Sequence, residues 1–382
     1  MRCLSLFTLL SLACACRAAD LKDLPANTFV EIKTTTVQPE WAKDDKGRFS
    51  RQGWNKLVYD PDAKRVLLYD RWVDKKHGGQ TIYGNCLFGF DPESGKITPI
   101  KIDNWGKMEP KTGGYRTVPL AENDTEPTPA PRHVYHAFEY VSELKALFIC
   151  NGANQGVLDK NGKFVGHDAC DGTWRLDLKT SKWTQLKADG APPNRLDDGW
   201  AYCPDIKGLV YTGANGQLWL FDVEKNTWRK AKNSPPVRTS MGRTIFYDAP
   251  RKRMLIAGGG RLDAWQQGKA LEFRELYEFD PKTETVKRLA DAPTAMYAQH
   301  LAHDTKRDLW FVVAVFNKNE QPSGMFAYDP KKDAWTEVKV EGGIPPHRSW
   351  FGWMQLCYDS HRDCLIGKQG EGFFAFRYET PK

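Results

Sequence analysis

Two patterns of alternating apolar and polar positions recur along the chain in a fixed order. The first is a pair of apolar runs divided by a short polar turn. It reads LVYDPDAKRVLLY (57–69), AFEYVSELKALFI (137–149), WAYCPDIKGLVYT (200–212), IFYDAPRKRMLIA (245–257), LAHDTKRDLWFVV (301–313) and LCYDSHRDCLIGK (356–368). The second is aromatic-rich, ends its first run in Asp and resumes after a turn. It reads LFGFDPESGKITPIK (87–101), TWRLDLKTSKWTQLK (173–187), LWLFDVEKNTWRKAK (218–232), LYEFDPKTETVKRLA (276–290) and MFAYDPKKDAWTEVK (325–339). A period of two with turn residues between runs predicts hairpins. Asp91, Asp177, Asp222, Asp280 and Asp329 share one column, and Ile97, Trp183, Trp228, Val286 and Trp335 share another six residues later. An Asp opening a turn accepts hydrogen bonds from the backbone just ahead.

Two hairpins per period make four strands, which is the blade of a β-propeller. The first hairpin occurs six times and the second five. The missing half lies at the other end of the chain. GFFAFRYET (372–380) supplies a third strand for the last blade, while NTFVEIKT (27–34) matches SKWTQLKA and DAWTEVKV with Phe29 in the Trp column. The expectation is a single all-β domain over residues 20–382, with blades near 51–102, 130–190, 194–234, 238–292, 296–342 and 347–380. Residues 27–34 close the ring and remove an open sheet edge.

Composition agrees. Charged residues are 27% and hydrophobic ones 41% of 382 residues, which supports a folded core, and 14 Trp, 14 Tyr and 19 Phe favour strands. Residues 1–19 read as a signal peptide: Arg2, an apolar stretch from Leu4 to Cys14, and an Ala-rich run to Ala19. Ser11 and Ala13, three places ahead of Cys14 and Cys16, are poor residues for lipoprotein processing, so simple export to the periplasm or medium is expected. No segment is long enough to span a bilayer. Losing Arg2 and Arg17 takes the formal charge from +7 to +5, with Lys and Arg scattered among acids, so nucleic acid is excluded as a partner. Six cysteines remain, an even number in an exported chain, and the hairpins make Cys150–Cys170 and Cys357–Cys364 cross-strand candidates for bridges. Cys86 and Cys203 stay free, and no cluster proposes a metal or cofactor.

The chain resembles kelch-repeat propellers, whose units carry a hairpin ending in Gly-Gly, then Tyr-Asp, then Trp, then a Pro followed by Arg. Gly258-Gly259, the Asp and Trp columns, Pro193-Asn194-Arg195, Pro236-Val237-Arg238, Pro346-His347-Arg348 and the shorter Pro131-Arg132 carry the resemblance. It departs at the glycines, where blades two and three have Asn-Gly and Thr-Gly and blade five has none. The resemblance implies a six-bladed kelch-type β-propeller. It extends to N-acetylneuraminate epimerase, an exported six-bladed protein, and less to galactose oxidase, whose copper site finds no Tyr/His set here.

In a four-stranded blade the first strand lines the central channel. Links between strands one and two, and three and four, lie on one face and are short here. Links 70–84, 103–130, 151–170, 258–274 and 314–323 lie on the other face and are long, which marks it as the working face. Trp105 and Trp265 stand in two of these links. At the channel mouth on that face, one inward column holds Asn55, Tyr135, Asp198, Arg243, Gln299 and Met354. Two residues earlier stand Gly53, His133, Leu196, Met241, Tyr297 and Gly352. Arg132, Arg195, Arg238 and Arg348 occupy the kelch Arg position, and His136 and His300 a packed-His position, so repeat structure accounts for them; the Trp column is core. The leading reading is a binding protein that holds a carbohydrate or cell-surface ligand, or a protein, with Arg132, Arg243, Tyr297, Gln299 and Arg348 as its contacts. The alternative is an epimerase or lyase: an arginine pair grips a sugar carboxylate, and Asp198, His133 or Tyr135 moves a proton at the adjacent carbon.

Overall fold

The computed structural model describes residues 21–37, 48–50, 55–74, 82–83, 86–102, 106–111, 114–119, 128–129, 132–154, 157–158, 164–166, 172–190, 192, 199–212, 216–236, 241–260, 273–294, 296, 301–314, 324–346 and 354–380. Residues 1–19, read as a signal peptide, lie outside this set.

Six antiparallel blades follow one another along the chain, as the repeats predict; five are four-stranded sheets, and the four strands of the first belong to a sheet of seven. The innermost strands are Val58–Asp60, Phe138–Val141, Gly199–Cys203, Met241–Asp248, Ala302–Asp304 and Gln355–Asp359. The turn Asp column behaves as expected. Asp177 Oδ1 accepts the backbone N–H of Lys179 and of Thr180, both at 2.9 Å, and Asp222, Asp280 and Asp329 repeat the arrangement.

Blades pack face to face, so the apolar side chains of each interface form their own cluster. Six such clusters exist among the described residues, one between each pair of neighbouring blades. Trp183 and Trp228 of the Trp column are buried, and Trp228 stacks on Trp200 of its own blade at 6.2 Å. Half-buried Trp335 donates its indole N–H to the carbonyl of Ala290 in the blade before, at 3.0 Å. Each cluster is short on its own, and stacking the blades makes a core of them.

The ring closes as the sequence predicts. Phe29–Ile32 pairs antiparallel with Gly372–Phe376, Phe29 opposite Phe376, with ring centroids 4.7 Å apart. Asn27 fastens the junction, since its Nδ2 donates to the Glu379 carbonyl at 2.8 Å and its Oδ1 accepts the Glu379 N–H at 3.0 Å. The chain then runs on as Thr35–Thr36, parallel to Lys96–Ile102 on the outer edge of blade one. One N-terminal segment thus spans the last blade and the first.

Two expectations change. Links 103–130 and 151–170, read as separate inserts, join in one small sheet of Gly106–Lys111, Gly114–Pro119, Val157–Leu158 and Phe164–Gly166. The bridge expected between Cys357 and Cys364 is not formed here: both are free thiols. Cys357 stands opposite Ile366 and Cys364 opposite Asp359, so the pair is diagonal in the ladder rather than directly opposed. Burial raises both thiols, Cys364 to about 12, which keeps them protonated. Cys150 is buried, with its sulfur 3.5 Å from the Thr173 hydroxyl, and Cys170, its expected bridge partner, lies outside the described residues.

Deleting residues 20–36 removes the outer strand of blade six and the strap onto blade one. The single cooperative unfolding transition should then be lost in calorimetry. A truncated chain that melts in one transition at the parental temperature contradicts this account of closure.

Candidate functional site

The inner strands meet the channel at two mouths, and the two are built differently. At the mouth with the short links, the ladder registers align one ring of six residues: Tyr59, Tyr140, Tyr202, Tyr247, His303 and Tyr358, each opposite the residue seven places on. Five places after each ring residue the turn passes through a left-handed position, at Lys64, Lys145, Lys207, Lys252, Asp308 and Asp363, with φ between 47° and 56°.

These turns carry the links between blades. In the first half of the ring, an acid three places after one ring residue accepts the phenol of the next blade. Tyr140 donates to Asp62 at 2.9 Å, Tyr202 to Glu143 at 2.8 Å, and Tyr247 to Asp205. In the second half, an arginine four places after the ring residue reaches forward instead. Arg251 donates to Asp308 of blade five at 3.1 and 2.6 Å, and Arg307 to Asp363 of blade six at 2.6 and 3.2 Å. Arg362 crosses the closure, donating to Asp91 and to the Lys64 carbonyl of blade one, both at 2.9 Å. All six interfaces are bolted in this way.

The acids answer to these donors. Asp205 is held below the usual carboxylate range by the Tyr247 hydroxyl first and Lys282 after it, and Asp308 well below by Arg251 first. Desolvation, and then the neighbouring carboxylates, push the latch phenols Tyr140, Tyr202 and Tyr247 above their ordinary value, so they stay neutral donors. Asp248, His303 and Asp308 place one ligand atom each within 4.8 Å of one another. Arg251 and Arg253 already neutralise Asp248 at 3.0 and 2.9 Å, so this cluster is an ion-pair network rather than a built cation site.

Between the mouths the channel is crossed by Lys56. Its ammonium donates to Glu139 of blade two and to the Trp200 carbonyl of blade three at 3.4 Å, and lies 5.8 Å from the Phe246 ring of blade four. Below it, toward the short links, a cavity of about 550 Å³ opens among all six inner strands.

At the long-link mouth the expected residues divide. Asp198, Tyr297, Gln299 and Arg348, and with them Trp105 and Trp265, lie outside the described residues. His133 is described through its backbone, in the strand Arg132–His133 opposite Asn154 and Ala153. Arg132 is buried and donates to the Asn151 carbonyl at 3.2 Å, while Asn151 donates to the Tyr211 hydroxyl of blade three at 3.2 Å. Arg132 is thereby tied into the fold, as its repeat position implies.

Tyr135 is corrected. The residue four places before Tyr140 is His136, so His136, and not Tyr135, shares the inward column with Asn55 and Arg243. The sequence alignment slipped by one in blade two, and a slip of one changes the face of every side chain. Tyr135 instead sits half-buried at φ 50°, a costly conformation for a residue with a Cβ. Its N–H and that of Val134 donate to Asn55 Oδ1 at 2.9 and 3.0 Å, and its carbonyl accepts the Lys56 N–H at 2.8 Å. Asn55 is thus a stitch between blades one and two rather than a ligand contact.

His136 is buried, and burial with the nearby Lys56 charge lowers its pKa to about 3. Its carbonyl accepts the Trp200 N–H at 3.3 Å. The next strand approaches closely there: a Cβ on Gly199 would stand 3.0 Å from His136 Cβ and 3.0 Å from the Arg243 carbonyl, so only glycine fits without movement. Two more of the column are described, Met354, fully buried, and Arg243. It is 3% exposed on Met241–Asp248, opposite Gly258, and burial lowers its pKa to about 10 against the raising effect of Tyr277 and Glu275. It therefore remains a cation at neutral pH.

Comparison with known proteins gives three findings. The model of the KLHDC2/KLHL20/DRC7 Kelch-repeats domain matches residues 156–360. The tRNA wybutosine-synthesizing protein 4 of Saccharomyces cerevisiae is 22% identical over 307 residues, covering 75% of this chain. The chain spans 40% of that protein's length. An oligogalacturonate lyase in complex with manganese aligns over 93% of this chain and 99% of its own, with 12% identity and a TM-score of 0.47.

Two measurements test this construction. Tyr247→Phe removes one phenol-to-carboxylate latch and should lower stability by about 1–3 kcal/mol in urea melts, the range for a hydrogen bond to a charged group. A variant as stable as the parent removes the latch from the account. His136 is neutral when folded and has an ordinary pKa near 6.5 when unfolded, so its contribution is full above pH 6.5 and falls as pH drops toward about 3. The loss at pH 5 is about 2 kcal/mol. His136→Gln should flatten the stability profile between pH 6.5 and 5, and an unchanged slope assigns that slope to other groups.

Proposed function

The chain belongs to the kelch-repeat family of β-propellers, and from that premise we propose that it is an exported binding scaffold whose long-link face holds an acidic carbohydrate at the channel mouth. The observation that carries this reading is the contrast between the two faces. The short-link face is fastened blade to blade through six latches, and the links assigned to the other face are long in sequence, which leaves that face to carry a ligand. Arg243 supplies a buried, protonated guanidinium at that side, suited to a carboxylate. A protein ligand on the same face is the other outcome that kelch architecture admits.

Binding is favoured over catalysis by the state of the described channel groups. His136 is held neutral far below its usual range, the latch phenols are held far above theirs, and Arg132 is committed to the Asn151 carbonyl. None of these is poised to exchange a proton near neutral pH. The yeast relative's named activity is not carried over, since the chain spans 40% of that protein.

Arg243→Ala should weaken binding of a uronate or sialate by ~1–3 kcal/mol in titration calorimetry and leave neutral hexoses unaffected. Equal affinity of parent and variant for the acidic sugar overturns the assignment. Asp198→Asn tests the enzymatic alternative: loss of turnover with retained binding makes the protein an enzyme, and a parent without turnover leaves it a scaffold.

A further inference from the structure

We propose that the cavity on the short-link face is a second binding site, separate from the long-link mouth, that takes a small aliphatic ammonium ion. Its volume of about 550 Å³ lies within the range of small-ligand pockets. Three observations select a cation.

The first is charge. Among the described residues that line the cavity, one ammonium, Lys56, faces two carboxylates, Glu139 and Glu143. His303 also lines it, but burial lowers its pKa, even against the raising effect of Asp308, so it adds no charge at neutral pH. The lining therefore carries one net negative charge.

The second is the wall. Aromatic rings from every blade surround the space: Tyr59, Tyr140, Tyr202, Tyr247, Trp310 and Tyr358, with Phe246 deeper in. Aromatic faces attract cations, and an enclosure of several rings suits an ammonium whose carbons also gain contact. Lys56 already illustrates the preference, its ammonium lying 5.8 Å from the centre of Phe246.

The third is preorganisation. Three of the phenols are held in place by carboxylates, Tyr140 by Asp62, Tyr202 by Glu143 and Tyr358 by Asp363, at 2.8 to 2.9 Å. His303 is stacked on Trp310 at 4.4 Å with planes 3° apart. The latches that hold the ring closed also hold the cage open, so a ligand need not order it.

Choline and its uncharged isostere 3,3-dimethylbutan-1-ol are the probes, titrated into the full-length folded protein by calorimetry. Choline should bind about ten-fold more tightly than the isostere, the size of one partly desolvated cation–aromatic contact. Equal affinities, or no heat from choline at millimolar concentration, overturn the proposal. Glu143→Gln keeps an acceptor for the Tyr202 hydroxyl on an exposed turn and removes the surplus charge. It should weaken choline several-fold and leave the isostere unchanged; an unchanged choline affinity counts against the site. Lys56→Met gives an independent reading, because Glu139 then loses its ammonium. Choline should raise the melting temperature of this variant more than that of the parent, and the isostere should not. A folded Lys56→Met that choline does not stabilise places any choline binding elsewhere. If the variant does not fold, Glu143→Gln decides.

Discussion

A ring of blades has no part that is complete alone. Each sheet buries both faces, one against the blade before and one against the blade after, so the loss of any one interface opens all of them. The belt of latches answers this constraint. Apolar packing is tolerant of sliding, whereas a phenol or guanidinium aimed at one carboxylate fixes the neighbour's position along the channel axis. The belt changes chemistry halfway round, from Tyr-to-acid at the first three interfaces to Arg-to-Asp at the last three. The final latch, Arg362 to Asp91, joins blade six to blade one, the two blades that the N-terminal segment also spans.

That division of labour gives the molecule two unlike faces. On the latched face the turns are short, and six of them pass through the same left-handed position. The links assigned to the other face are longer in sequence, and two of them build a small sheet of their own. Between the faces Lys56 binds groups of three other blades, so the channel is crossed at its middle.

The fold was legible because period and pattern are its cause. A turn Asp followed by a Trp column six residues later describes a hairpin that packs on its neighbour, and the unmatched half-blade at each end of the chain left one way to finish the ring. The latches were half visible: the Tyr column stands in every quoted hairpin but blade five, where His303 takes its place, yet nothing local to one repeat says that its phenol serves the next blade. The inward column failed in blade two for a related reason. Tyr135 and His136 both fit a loose alignment, and only the pairing of Tyr140 with Leu147 fixes which of them is in register. The ligand contacts were the least legible. Arg132 proved to be tied to Asn151, while Asp198, Tyr297, Gln299 and Arg348 lie outside the described residues.

The pairing of Phe29 with Phe376 has a consequence in time as well as in space. The outer strand of the last blade precedes blade one in the sequence, and its partner follows blade five. Blades one to five can form in order as the chain appears, but the ring remains an open arc with exposed sheet faces until Gly372–Phe376 arrives. The same adjacency makes the molecule a ring in which the location of the break is arbitrary. Joining the two ends and cutting within a long link between blades preserves every interface, and the rearranged chain encodes the same propeller.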